Sequence, residues 1–234
     1  MKPEIVVLPD PAALTHEATV RFVAFARSAL TAQGRFTVAL SGGSTPKSLY
    51  EELVTQPIEW QHIHVFWGDE RCVPPVHPDS NYGMAQRAWL AHINIPAQNV
   101  HRLRGELDSA QAAQQYEDEL RTIFGILPRF DLVWLGMGAD AHTASLFPGT
   151  PALHEQQRWV VAQYVDKLQA ERLTLTPLII NQAANLTFLV TGSDKAAALQ
   201  AVWHGPHDPD QFPAQIVRPT AGQLSWLVDR AAFA

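Results

Sequence analysis

The chain has 234 residues, 47% of them hydrophobic, a formal net charge of −6 and one cysteine. This is enough for one sizeable core, and the acidic balance argues against a general nucleic-acid or anionic-membrane binder, which needs a basic field. Cys72 has no partner for an internal disulfide, no apolar run approaches the ~20 residues that span a bilayer, and the amino-terminal pattern is not that of a secretory leader, so a cytoplasmic protein is expected.

"EIVVL" (4–8) predicts a first strand, and Pro11 opens a long alanine-rich helix to Gln33 with apolar residues at helical spacing. "RFTVAL" (35–40) predicts a buried strand. The turn "SGGSTP" follows, with Pro46 where a helix through Leu53 can begin. "HIHVFW" (62–67) predicts the next strand, followed by the polar, proline-rich loop 68–80 and a helix over Asn81–His92. A loop of that length in a compact domain points to function.

"NVHRL" (99–103) predicts a short strand, "DSAQAAQQYEDELRTIF" (108–124) an amphipathic helix with a polar cap, and "FDLVWL" (130–135) a central strand. Further strands are predicted in "RWVVAQYV", "RLTLT", "NLTFLVTG" and "LSWLV", with a helix in "SDKAAALQAVWHG". Strands alternating with helices predict an α/β fold: one domain over residues 1–234, with an open, mostly parallel, Rossmann-like sheet covered by helices on both faces. Ligands in such sheets sit beyond the carboxyl ends of the strands, so loops 41–46, 68–80 and 136–149 should share one edge.

The Gly42-Gly43-Ser44-Thr45 turn suits phosphate, because backbone N–H groups and hydroxyls would sit under the positive end of a helix; it lacks the lysine of a Walker A loop, and a simple capped turn is the plainer reading. "GMGADA" (136–141) matches G-x-G-x-x-A after a strand, but Pro148 and Gly149 cut off any crossover helix and no clean βαβ unit ends in an acid about twenty residues on, Asp166 coming late, which argues against a dinucleotide site. A better reading gives the loop to His142, a residue that can take and return a proton near neutral pH, with capping of a short helix as the plain alternative.

Asp69-Glu70-Arg71 places two acids and a cation at a strand end. Cys72 has no evident base and reads as packing. His62 and His64 share a strand face without further ligands, and "HGPH" (204–207) is equally isolated, so no metal is expected. Arg172 begins a strand and Lys195 opens a helix; both could supply charge to an anion.

Together these stretches resemble the 6-phosphogluconolactonase family, within the wider glucosamine-6-phosphate isomerase/deaminase-like group. The matching pieces are "ALSGGSTPKSLYEEL", "VFWGDERCVPPVHPDSNYGMA", "LVWLGMGADAHTASLFPG", "RLTLT", "FLVTGSDKAAAL" and "VRPTAGQLSWLVDRAA", in order and nearly end to end. The resemblance implies cofactor-free hydrolysis of 6-phospho-D-glucono-1,5-lactone in the oxidative pentose phosphate pathway, by a monomer or small homo-oligomer.

It implies catalytic roles for His142, Asp69 and Arg71, and substrate or phosphate binding by Gly42, Gly43, Ser44, Thr45, Asp140, Arg172 and Lys195. Either Asp140 or Asp69 could orient the imidazole. The family usually has glycine where this chain has Ala141; because alanine at positive φ costs on the order of 1 kcal/mol, an ordinary negative φ is expected there. The stretch "KLQAER" departs from the family's usual prolines, so Lys167 is left outside the expected anchor. An amino-sugar-phosphate isomerase/deaminase, using Asp69 to move the substrate proton, and a non-catalytic sugar-phosphate binder are the rival readings.

Overall fold

A computed structural model describes residues 2–234. In chain order the elements are β1 (Glu4–Leu8), α1 (Pro11–Gln33), β2 (Phe36–Leu40), α2 (Ser44–Leu53), β3 (Ile63–Trp67), β4 (Asp69–Arg71), α3 (Asn81–Ala88), α4 (Ser109–Phe124) and β5 (Leu132–Leu135). There follow β6 (Val160–Val165), β7 (Ala170–Leu175), α5 (Pro177–Ile180), β8 (Asn185–Val190), α6 (Ala196–His204), β9 (Gln223–Asp229) and α7 (Arg230–Phe233).

Six strands form a wholly parallel sheet in the order β1-β9-β8-β5-β2-β3. β2 and β5 are buried at every residue, as expected of strands covered on both faces. One face carries an aromatic layer in which Trp89 stacks on Tyr50 at 5.6 Å and meets Trp60 and Phe22 edge-on. On the other, Phe66 packs against Phe130 and Phe124.

The strands "RWVVAQYV" and "RLTLT" do not join this sheet. β6 and β7 form an antiparallel hairpin, and β7 pairs antiparallel with β4, giving a second, three-stranded sheet. Gly68 is the pivot between the two: its N–H donates to Leu40 O and its carbonyl accepts from Leu175 N, both at 2.8 Å. A Cβ there would stand in ordinary van der Waals contact with the Leu40 carbonyl, 3.4 Å away.

Two smaller expectations are also corrected, and one plain alternative falls away. "NVHRL" makes only an isolated bridge, Val65 to Val100, because a single pairing to β3 satisfies it. The helix after Ser80 ends at Ala88, where Trp89 leaves helical geometry and buries itself completely in the aromatic layer; a 3₁₀ turn then covers Leu90–His92. No helix follows His142: Thr143 and Leu146 form a tight bridged turn instead.

Candidate active site

The carboxyl ends of β2, β3 and β5 open on one cleft of about 500 Å³, and all three suspected loops line it. Gly42, Gly43, Ser44, Thr45, Asp69, Arg71, Asp140, His142, Arg172 and Lys195 all border this space. The dispersed sequence candidates therefore converge as expected.

α2 begins at the cleft. α1, α3 and α4 each have a side-chain cap, from Asp10, Ser80 and Asp108, whereas α2 starts from Gly43 with none. Its first amides, at the positive end of the helix, therefore have no side-chain cap and can receive an anion. Gly43 has φ of 106°, a backbone form that favours glycine, and a Cβ on Gly42 would fall 1.8 Å from Asn81 Oδ1. The turn is thus held tightly against α3. Thr45 Oγ1 lies 2.7 Å from Thr191 Oγ1, fastening it to the end of β8 as well.

The 136–149 loop is organised around His142. Its Nδ1 lies 2.5 Å from Asp140 Oδ1, and Lys167 Nζ donates to Asp140 Oδ2 at 2.7 Å. The His142 hydrogen bond, followed by that of Lys167, holds the Asp140 carboxyl well below the usual carboxylate range despite its partial burial. An ionised Asp140 only accepts hydrogen bonds, which assigns a proton to His142 Nδ1, so that in the neutral imidazole Nε2 carries the lone pair. The ring stacks on Phe147, centroids 4.2 Å apart.

Asp140 is accordingly a partner of the histidine. One of its oxygens meets His142 and the other Lys167, while the residue also borders the cleft. Gly138 explains the first half of the motif: a Cβ there would lie 2.1 Å from His142 Nδ1 and 2.7 Å from Asp140 Oδ1. The glycine makes room for the pair.

The expected negative φ at Ala141 is overturned, for Ala141 adopts φ of 61° and Ala144 one of 48°. Two tight turns in quick succession, needed to bring His142 back over Gly138, impose these values; Gly138 N–H donates to His142 O at 2.9 Å. The Ala141 methyl is fully buried in the main core, so apolar burial worth about 0.8 kcal/mol offsets a left-handed penalty of about 1 kcal/mol.

Across the cleft, β4 and β7 place Arg71 and Arg172 directly opposite each other, with Asp69 opposite Thr174 two residues away on the same face. Like charges in a cross-strand pair repel. Burial, with Arg71 as the next contribution, lowers the Arg172 pKa from its ordinary value. An anion between the two guanidiniums would offset this repulsion. Arg71 Nη1 is steadied by the Asp79 carbonyl at 2.5 Å.

Asp69 is buried and makes no hydrogen bond to His142: Ser145 Oγ donates to its Oδ2 at 2.8 Å and Asn81 Nδ2 to its Oδ1 at 3.3 Å. Of the two possible orienters of the imidazole, the structure thus selects Asp140. Glu70, between Asp69 and Arg71, turns the other way and accepts from the amides of Arg71, Asn81 and Tyr82 and from Ser80 Oγ. It stitches the 68–80 loop to the start of α3.

Sequence reasoning missed Lys167, Asn81 and Thr191. Lys167 sits in a 3₁₀ turn of the β6–β7 hairpin, for which no local motif signals a role. Asn81 could have been suspected from the Ser80 helix start. Burial pushes the Cys72 thiol up to about 11, in keeping with packing. His64 Nδ1 lies 3.0 Å from His101 Nε2, whose ring in turn bonds Glu119, and no cluster of potential metal ligands occurs among the described residues.

Residues 9–226 match the family described as glucosamine-6-phosphate isomerases/6-phosphogluconolactonase. The chain belongs to this family. It is 45% identical over 237 residues to the 6-phosphogluconolactonase of Synechocystis, covering 99% of this chain and 98% of that one. The corresponding Nostoc protein, also a 6-phosphogluconolactonase, is 45% identical over 240 residues, 100% of this chain and 98% of that one. Among solved structures, the 6-phosphogluconolactonase of Trypanosoma brucei superposes with a TM-score of 0.88 at 30% identity, covering 99% of this chain and 97% of the other. The open parallel sheet is thus the fold of the family, and the cleft stands where its loops converge.

Proposed function

We propose that the cleft hydrolyses 6-phospho-D-glucono-1,5-lactone to 6-phosphogluconate with His142 as general base, the lactonase step of the oxidative pentose phosphate pathway. The activity rests on full-length relatives that are lactonases. The roles rest on geometry, and one observation carries them: Asp140 fixes the proton on His142 Nδ1, which leaves Nε2 able to accept one.

The amides of residues 43–45, with Arg172 and Lys195, grip the phosphate and so orient the lactone carbonyl beside His142. Nε2 removes a proton from water as its oxygen bonds to C1. Charge growing on the carbonyl oxygen is stabilised by Arg71, already steadied by Asp79. As the intermediate collapses, the C1 to ring-oxygen bond breaks and the imidazolium returns its proton to the departing oxygen. The new carboxyl then releases a proton to solvent.

Water is the only co-reactant, so the balance needs no cofactor. Asp69 braces the loop through Ser145 and Asn81, and these two contacts weigh against an isomerase in which Asp69 moves the substrate proton. Both sheets line one cleft, in keeping with a single domain over residues 1–234. Every group named comes from one chain, so a monomer suffices and a small homo-oligomer is compatible. The acidic charge and single cysteine fit a cytoplasmic enzyme.

The test follows freshly made lactone by NMR against an enzyme-free blank, because the substrate also hydrolyses by itself. Wild type should exceed the blank, and His142→Ala should lose roughly 100- to 10,000-fold in kcat while staying folded. A wild-type rate equal to the blank would overturn the activity; a fully active variant would overturn the role of His142.

A further inference from the structure

A second cavity, of about 450 Å³, lies at the opposite edge of the large sheet, bordered by the segment before β1, the start of β9 and the end of α6. Its volume is within the range of small-molecule sites. Its floor is apolar and aromatic: Trp203 meets Trp226 edge-on at 5.6 Å, with Val217 and Leu224 beside them. Its rim carries Lys2, His207 and Arg218, and no acidic residue lines it. In a chain of net charge −6, that is a local reversal of sign.

Two further details point to an occupant. At the carbonyl end of α6, which would repel an anion, Gln215 Nε2 occupies the carbonyls of Ala201 and Val202 and that of Pro206 just beyond. On the rim, Arg218 Nη2 lies 2.8 Å from His207 Nδ1. Arginine can only donate, so Nδ1 accepts and the His207 Nε2–H is free to donate to an anion.

We propose that this cavity is a binding site for a small planar aromatic ligand bearing one anionic group. The ligand ring packs against Trp203 and the apolar side chains beside it, and the anion meets Arg218 and His207 at the rim. The site is separate from the lactonase cleft, which lies at the carboxyl ends of the strands, and does not depend on the reaction proposed there.

Naphthalene-1-sulfonate is the probe, with neutral 1-naphthol and cationic 1-naphthylmethylammonium as its charge controls. The readout is the Trp203 indole N–H signal in a ¹⁵N-correlated spectrum, assigned through Trp203→Phe. The sulfonate should shift this signal saturably with a Kd below about 1 mM, and the two controls should bind at least about fivefold more weakly. Arg218→Gln should weaken the sulfonate by a similar factor while melting temperature and lactone hydrolysis stay unchanged.

No shift at about 10 mM sulfonate would overturn the proposal. So would equal binding of all three probes, competition by 6-phosphogluconate, or concentration-dependent broadening of Trp203 without probe, which would mark the face as a contact between copies.

Discussion

The two sheets of this protein share one apolar core but differ in how far buried polar groups add to it. The parallel sheet is a stack of apolar strands between aromatic layers, and contributes to the cleft mainly backbone: the turn at 42–45 and the glycine loop at 136–138. The small antiparallel sheet supplies the opposed charged side chains Arg71 and Arg172, and is held against the rest by buried carboxylates. Glu117 on α4 accepts from Arg158 Nε at 2.7 Å and from the amides of Trp159 and Val160 where β6 begins. Apolar burial holds both, since Val160, Leu173 and Leu175 belong to the main core, but the second depends in addition on buried polar groups staying satisfied, so it should be the easier to loosen without unfolding the first.

The largest effects should come from the His142 pair, which bridges the two regions through Lys167. Asp140→Asn keeps the shape, but its amide can donate to Nδ1 and so force the proton onto Nε2. We expect kcat to fall roughly 100-fold or more with KM little changed, measured by steady-state hydrolysis corrected for the blank. A preserved kcat would remove Asp140 from the mechanism.

Gly138→Ala should be nearly as damaging, because its new methyl meets the His142 ring at contact too short to hold. Activity should drop while the far-ultraviolet circular dichroism stays unchanged; normal activity would mean that the loop can rearrange freely.

The contrast between the sheets is tested by Glu117→Ala. It leaves Arg158 and two buried amides without their acceptor and should cost about 1–3 kcal/mol in denaturant unfolding. Hydrogen exchange should quicken in β6 and β7 before β2 or β5. Uniform loss of protection across both sheets would show that they unfold as one unit.

A pH effect follows from Asp140. Its folded pKa lies below the unfolded value of about 3.9, so the stability it contributes is present above that pH and is lost as pH falls through the folded value. The difference in melting temperature between wild type and Asp140→Asn should therefore shrink below about pH 4. A difference that grows on acidification would contradict the assigned charge.

The smallest effect should be that of Ala141→Gly. Relief of the left-handed alanine and loss of a buried methyl nearly cancel, which predicts a stability change within about 1 kcal/mol and near-normal kcat.

These expectations differ in how far the sequence foretold them. The apolar runs at 36–40 and 132–135 and the glycine turns after them were legible because strand burial and turn chemistry are local properties, written in adjacent residues. The hairpin 160–175 was legible as strands and illegible as a separate sheet. Nothing in "RLTLT" states that it pairs with Asp69–Arg71 about a hundred residues earlier.

The sequence by itself determined the parallel core, the edge at which its loops open, and the residue types gathered there. Tertiary structure decided which acid holds His142, that Lys167 completes the pair, that Asp69 faces Ser145, and that Ala141 is left-handed. Each of these depends on a distance across the fold or on the path the backbone must take to close it. Asp69 and Ser145 are 76 residues apart, and no local pattern encodes their meeting.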